Sequence, residues 1–193
     1  MEYEIIKDGK FDYLEVGEGE TLMLCHGLFG ALSNFSDLIE KFRHTHKVVV
    51  PILPLFDLDL LHTTVSGLEK HIAAFIEHKN YTNIHLLGNS LGGHVALVYI
   101  LKHPERVKSL TLTGSSGLFE NAMGDSYPKR GDYEYIRAKT AETFYDPAVA
   151  TKELVDEVFE ITNSRIKVIK IIALAKSAIR HNLGDELGQI KVP

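Results

Sequence analysis

Residues 83–102, NIHLLGNSLGGHVALVYILK, hold the reading that decides the fold. NIHLL is a short apolar run of strand length. The Ala- and Val-rich stretch from Leu91 to Lys102 reads as a helix that stops before Pro104, because a proline disfavours helical backbone in its predecessor. Between them Gly88-Asn89-Ser90-Leu91-Gly92 fits G-x-S-x-G, and Gly93 follows. A chain that passes from strand to helix in so few residues forces a strained backbone on the serine. Gly88 and Gly92 remove the side chains that would clash there. The turn lifts the Ser90 hydroxyl above the carboxyl edge of a sheet, at a helix N-terminus whose dipole favours negative charge. Serine in that position is a candidate nucleophile.

Working outward, TLMLC (21–25) is a strand-length apolar run that ends at His26-Gly27, and HGLFG (26–30) is a glycine-containing loop. Such a loop aims a backbone N–H, here that of Leu28, at a developing oxyanion; the N–H of Leu91 is the second donor. KVVVPIL (47–53) is apolar on both faces, as a buried parallel strand is. VKSLTLT (107–113) and FDYLEV (11–16) are further strands, with a weaker alternation in 2–7. Helices are expected from Ser33, as N-cap, to about Phe42 and from Val65 to Lys79. Strand and helix alternating from 21 to 113 predict an α/β fold with a mostly parallel sheet.

After Ser116 the pattern turns polar and helical. Asp146-Pro147 reads as an N-cap with proline at the first helical position. Leu154, Val155, Val158 and Phe159 form one helix face, and Ser164 caps a second helix to about His181. The expected organisation is a core over 1–116, a helical cap over 117–188 and the start of a return to the core over 189–193.

HGLFG, GNSLGG, HPERVKSLTLTGS and the helical segment behind them resemble the α/β-hydrolase superfamily over nearly the whole chain. The cap-bearing serine esterases and the hydrolases of meta-cleavage products are the nearest in look. The resemblance implies an α/β-hydrolase fold and a serine hydrolase that works through an acyl-enzyme. Ser90 is then the nucleophile, the N–H groups of Leu28 and Leu91 form the oxyanion hole, and Phe29, Ser116 and Phe119 contact substrate. Phe119, Tyr127, Phe144 and Tyr145 are candidates for an apolar acyl pocket under the cap. Serine in place of aspartate at the elbow disfavours the dehalogenase and epoxide-hydrolase branches. Carboxylic esters of small or medium apolar acyl groups are the expected substrates, with C–C bond hydrolysis of meta-cleavage products as the alternative.

The family's triad acid and histidine follow the cap. Here the sequence reaches Pro193 where the next core strand is expected, and two further strand–helix units need roughly 50 to 80 residues. Only His94, His103 and His181 follow Ser90, and no carboxylate stands between Thr113 and Glu120. The expectation is a fold lacking its last core strands, without an internal acid–base pair. A partial sequence is favoured over a hydrolase-like ligand-binding remnant.

Composition sets the remaining bounds. With 45% hydrophobic and 24% charged residues the chain is globular, and its lone Cys25 rules out an internal disulfide. A net charge of -5 gives no footprint for nucleic acid or membrane. Arg165, Lys167, Lys170, Lys176 and Arg180 read as a solvated helix face. No His-x-x-x-His pair lies beside a carboxylate, and there is no dinucleotide fingerprint or P-loop, so neither metal nor cofactor is expected. The N-terminus carries no secretory pattern. The reading is a cytoplasmic protein with a small-molecule substrate, its oligomeric state open.

Overall fold

A computed structural model describes residues 3–29, 32–118 and 129–193. Six strands, β1 (Ile6–Asp8), β2 (Phe11–Val16), β3 (Glu20–Cys25), β4 (His46–Pro51), β5 (Ile84–Asn89) and β6 (Val107–Thr113), form one sheet in the order β1-β2-β4-β3-β5-β6. β1, β2 and β4 pair antiparallel; β4, β3, β5 and β6 run parallel. The central strands need helices on both faces, and Val48, Val49 and Val50 of β4 are all fully buried.

Helices α1 (Ser36–Phe42), α2 (Val65–His78) and α3 (Leu91–Lys102) supply that cover. Leu68, Ile72, Phe75 and Ile76 of α2 and Val95, Ala96, Leu97 and Tyr99 of α3 share the main core with Met23, Val49 and Leu86. Ile39 of α1 joins a second cluster with Leu14, Leu24, Val48 and Val50. Every residue of α3 from Leu91 to Ile100 is buried, which explains the absence of a polar face in that stretch.

The segment after β6 contains α4 (Tyr133–Glu142), α5 (Lys152–Asn163) and α6 (Arg165–Arg180). Leu174 and Ala178 of α6 enter the main core, and the Val65 N–H donates to Ser177 Oγ at 3.0 Å. Beyond α6, Ile190 and Val192 pack against the same core, and the Leu110 N–H of β6 donates to the Pro193 carbonyl at 2.9 Å.

Two expected helix starts are corrected. Ser33 opens a single 3-10 turn, Ser33–Phe35, and α1 begins after it with no side-chain cap. Asp146-Pro147 also forms one 3-10 turn, with the Ala148 N–H donating to Asp146 Oδ1 at 2.9 Å. The helix itself starts at Lys152, capped by Thr151, whose hydroxyl accepts from the Leu154 N–H. At Asp146-Pro147 a local side-chain and proline signal nucleates one turn, and the apolar stripe that sustains a helix starts later. Ser164 caps α6 as expected.

Candidate active site

Ser90 sits between β5 and α3 with φ 53° and ψ -119°, a positive φ that side-chain-bearing residues rarely adopt. The surroundings hold it there. The Ser90 N–H donates to the Thr113 carbonyl at 3.0 Å, and the Ser90 carbonyl accepts from the N–H groups of His94 and Ser116, both at 3.2 Å. A Cβ on Gly92 would lie 2.1 Å from the Cys25 carbonyl oxygen, and one on Gly88 would lie 2.5 Å from Gly93 Cα. Glycine at these positions lets α3 press against the end of β3 and turn back over β5. Ser90 itself remains exposed.

The loop after β3 arrives at the same point. A Cβ on Gly27 would come 3.2 Å from Ser90 Cβ, so glycine permits the close approach of the loop to the elbow. His26 fixes the loop. The Leu53 N–H donates to His26 Nε2 at 2.8 Å, which makes that nitrogen the acceptor and leaves Nδ1–H to donate to the Gly27 carbonyl at 2.7 Å. Burial pushes the pKa of this ring down, so it stays neutral with both nitrogens engaged. It braces the loop and has no free nitrogen to take a proton from Ser90.

His94, on the first turn of α3, is fully buried. Its Nδ1 lies 3.3 Å from Ser116 Oγ, and the His181 ring stacks on it at 5.4 Å between centroids. Burial first, and then the charge of His181, push the His94 pKa down to about 4. Among the described residues His94 Nε2 and His181 Nδ1 have no hydrogen-bond partner. Neither His26 nor His94 bonds a carboxylate there. Cys25 is also inert: burial pushes its thiol up to about 12.

A slot of about 200 Å³ opens next to the loop, its apolar lining drawn from Leu28, Ile52, Leu53, Leu55, Phe56 and Ile161, with His26 beside them. Asp57 and Glu157 stand among its lining residues, and no lysine or arginine does. The slot thus joins three distant stretches: the loop after β3, the segment after β4, and α5.

A model of the alpha/beta hydrolase fold matches residues 20–148, more than half of the chain. The chain belongs to the alpha/beta hydrolase fold family. As an alpha/beta hydrolase chain it is 28% identical over 185 residues to the dihydrolipoyllysine-residue acetyltransferase component of the acetoin cleaving system of Pseudomonas putida, matching 90% of its own length and 50% of that protein. It is 25% identical over 210 residues to the 2-hydroxy-6-oxo-6-phenylhexa-2,4-dienoate hydrolase of Comamonas testosteroni, over 96% of this chain and 72% of the relative. The crystal structure of MGS-MChE2, an alpha/beta hydrolase enzyme from the metagenome of lagoon sediments at Mar Chica, Morocco, superposes with a TM-score of 0.77 at 40% identity. It covers 98% of this chain and 72% of that one. The chain spans half the length of the Pseudomonas putida relative.

Of the residues expected at the site, Ser116 bonds the Ser90 carbonyl through its N–H, Leu91 follows Ser90 in the chain, and Leu28 follows Gly27, whose added Cβ would come 3.2 Å from Ser90 Cβ. Leu28, expected to contribute a backbone N–H, also lines the slot. Phe29 is half-buried next to it but is not among the slot's lining residues. Phe119 and Tyr127 lie outside the described residues, and Tyr145 is fully exposed at the surface. Sequence reading missed Ile52, Leu53, Leu55, Phe56 and Ile161 as slot residues and Leu53 as the partner of His26. His181, the C-cap residue of α6, stacks its ring on that of His94. Among the described residues no group of three or more His, Cys, Asp or Glu side chains is placed to hold a metal ion.

Proposed function

We propose that this chain carries the nucleophile and oxyanion loop of a serine hydrolase, with residues 117–188 as its cap. Ser90 Oγ attacks the carbonyl carbon of a carboxylic ester. The N–H groups of Leu28 and Leu91 hold the oxyanion, the alcohol leaves with the proton that serine gives up, and water releases the acyl-enzyme as acid. The single observation that carries this reading is the exposed Ser90 at φ 53°, tied to Thr113 and Ser116 and touching Gly27 of the loop after β3. Strain at a polar, exposed residue held from three sides is a mark of a functional position.

The slot supports esters of small or medium apolar acyl groups over C–C cleavage of a dienoate acid. Its lining is aliphatic and aromatic, with two carboxylates and no cation to receive a substrate carboxylate. Such a pocket disfavours a substrate carboxylate, which a dienoate acid carries on its leaving fragment, by charge repulsion and desolvation.

A fluorophosphonate probe tests the nucleophile. Ser90 is the expected label, Ser90→Ala removes it, and labelling that persists in the variant would overturn the assignment. Short p-nitrophenyl esters give the second test. Because neither histidine beside the elbow has a carboxylate partner, the 193-residue chain turns them over only in traces. Turnover at about 1 per second or faster would place an acid and a base within these residues.

A further inference from the structure

Helix α6 carries five cations, Arg165, Lys167, Lys170, Lys176 and Arg180, and no acidic residue. Among the described residues none of the five forms an ion pair, whereas Arg137 of α4 pairs with Glu134 and Lys152 of α5 with Asp156. Two of the five hold the helix to the loop after β4. Lys170 Nζ donates to the Phe56 and Leu58 carbonyls at 2.7 and 2.6 Å, and Lys167 Nζ lies 5.4 Å from the Phe56 ring centroid. Arg165, Lys176 and Arg180 point outward and are exposed.

The same outward face is aliphatic. At 3.6 residues per turn Ile169 falls between Arg165, Lys176 and Arg180, with Ile166 on one side and Ile179 on the other. Ile171, Leu174 and Ala178 occupy the opposite, buried stripe. Ile166 is 67% and Ile169 51% exposed. The loop that Lys170 grips continues at once into Leu60 and Leu61, exposed by 53% and 88%. Large branched residues exposed together on two touching elements are uncommon on a soluble surface and mark a contact face.

We propose that the outer face of α6, extended by Leu60 and Leu61, seats on the surface of an anionic lipid bilayer. Cations interleaved with aliphatic side chains suit a surface that is negative in its headgroups and apolar just below them. The contact is shallow: among the described residues no helix is long and apolar enough to cross a membrane. A second copy docked face to face about a twofold axis would set Arg165, Lys176 and Arg180 against their own images, which repel. Because the whole chain is acidic at -5, the attraction is local to this face and is screened by salt over about 10 Å.

The 193-residue protein is sedimented with phosphatidylcholine vesicles made with and without phosphatidylglycerol. Binding is expected only with the anionic lipid, and it weakens as salt is raised. Arg165→Gln, Lys176→Gln and Arg180→Gln each weaken it about fivefold. Ile169→Ser weakens it at least about tenfold, and Leu61→Ser, in a loop where folding is not at stake, acts in the same direction. Lys41→Gln on α1 leaves binding unchanged. The proposal is overturned if the protein stays in the supernatant with anionic vesicles, or if Leu61→Ser and the three cation variants bind like the parent. It is also overturned if size-exclusion chromatography shows these variants dissolving a dimer while vesicle binding is absent. No turnover at Ser90 is needed, so the outcome is separate from the test of hydrolysis.

Discussion

Two buried histidines stand next to the elbow, and the chain holds them in different ways. His26, in the loop after β3, has both ring nitrogens engaged, by the Leu53 N–H and the Gly27 carbonyl. His94, on the first turn of α3, has one long contact to Ser116 Oγ, an unpartnered Nε2 among the described residues, and a second imidazole stacked on its face. The first arrangement fixes a tautomer and a loop position, as the proposed oxyanion role of that loop requires. The second is packed by shape and held less tightly by hydrogen bonds, and its free energy depends on pH because burial depresses its pKa. Being next to Ser90 does not make either one a base.

The largest expected effect breaks both regions at once. Gly92 lies where α3 meets the end of β3, and an added methyl would meet backbone carbonyls of Cys25 and His26 at 2.1 and 2.4 Å. Neither neighbour is a flexible side chain, so Gly92→Ala is expected to destabilise by about 4 kcal/mol or more, measured by urea unfolding. A stable variant would mean that the elbow is looser than described.

His26→Ala separates the two regions. It leaves the buried Leu53 N–H without its acceptor, which costs about 1–3 kcal/mol, and frees the loop that carries Leu28. Fluorophosphonate labelling of Ser90 is expected to slow while α3 keeps its amide-exchange protection. Equal loss of protection in both places would remove the distinction drawn here.

A third measurement uses pH. The folded-state pKa of His94 is depressed to about 4 from its ordinary 6.5. Above about 6.5 both folded and unfolded rings are neutral and the contribution is complete. Between 6.5 and 4 the unfolded ring takes a proton that the folded ring refuses, so stability falls with falling pH, by at most about 1.4 kcal/mol per unit. His26 and His71, also depressed by burial, pull in the same direction. His94→Gln is expected to flatten part of the decline; of the slope that remains, His26 and His71 contribute throughout, and Glu20 and Glu153, lowered from 4.5 mainly by hydrogen bonds, join at its acid end. An unchanged slope would show that the His94 ring is accessible to protons in the native state.

The smallest effect sharpens the same point. His181→Ala removes the stacked ring whose charge is the second cause of the depression. Proton NMR of the His94 ring is then expected to show a small rise in pKa, with burial still holding it below 6.5.

The sequence by itself determined the parallel core and its elbow. The β-branched run of KVVVPIL, the strand–glycine–helix passage around Ser90 and the stop before Pro104 are local signals. Each acts within a few residues, through backbone sterics or the pairing of apolar side chains on a strand. The α3 bounds, Leu91–Lys102, and the β6 bounds, Val107–Thr113, therefore agree with the reading residue for residue. Helix α4 was not legible, since its core contribution rests mainly on Ile136 and Thr140 in an otherwise polar stretch.

Only the tertiary structure decided what surrounds Ser90. The Leu53 N–H that fixes the His26 tautomer lies 27 residues away, and Ile161, which lines the slot, lies on α5. The stacking of His94 on His181, and the hold of Lys170 on the Phe56 and Leu58 carbonyls, likewise join residues that share no local pattern. These partners meet because α2, α3 and α6 bury their stripes in one core, and a stripe records that a face is buried without recording against what.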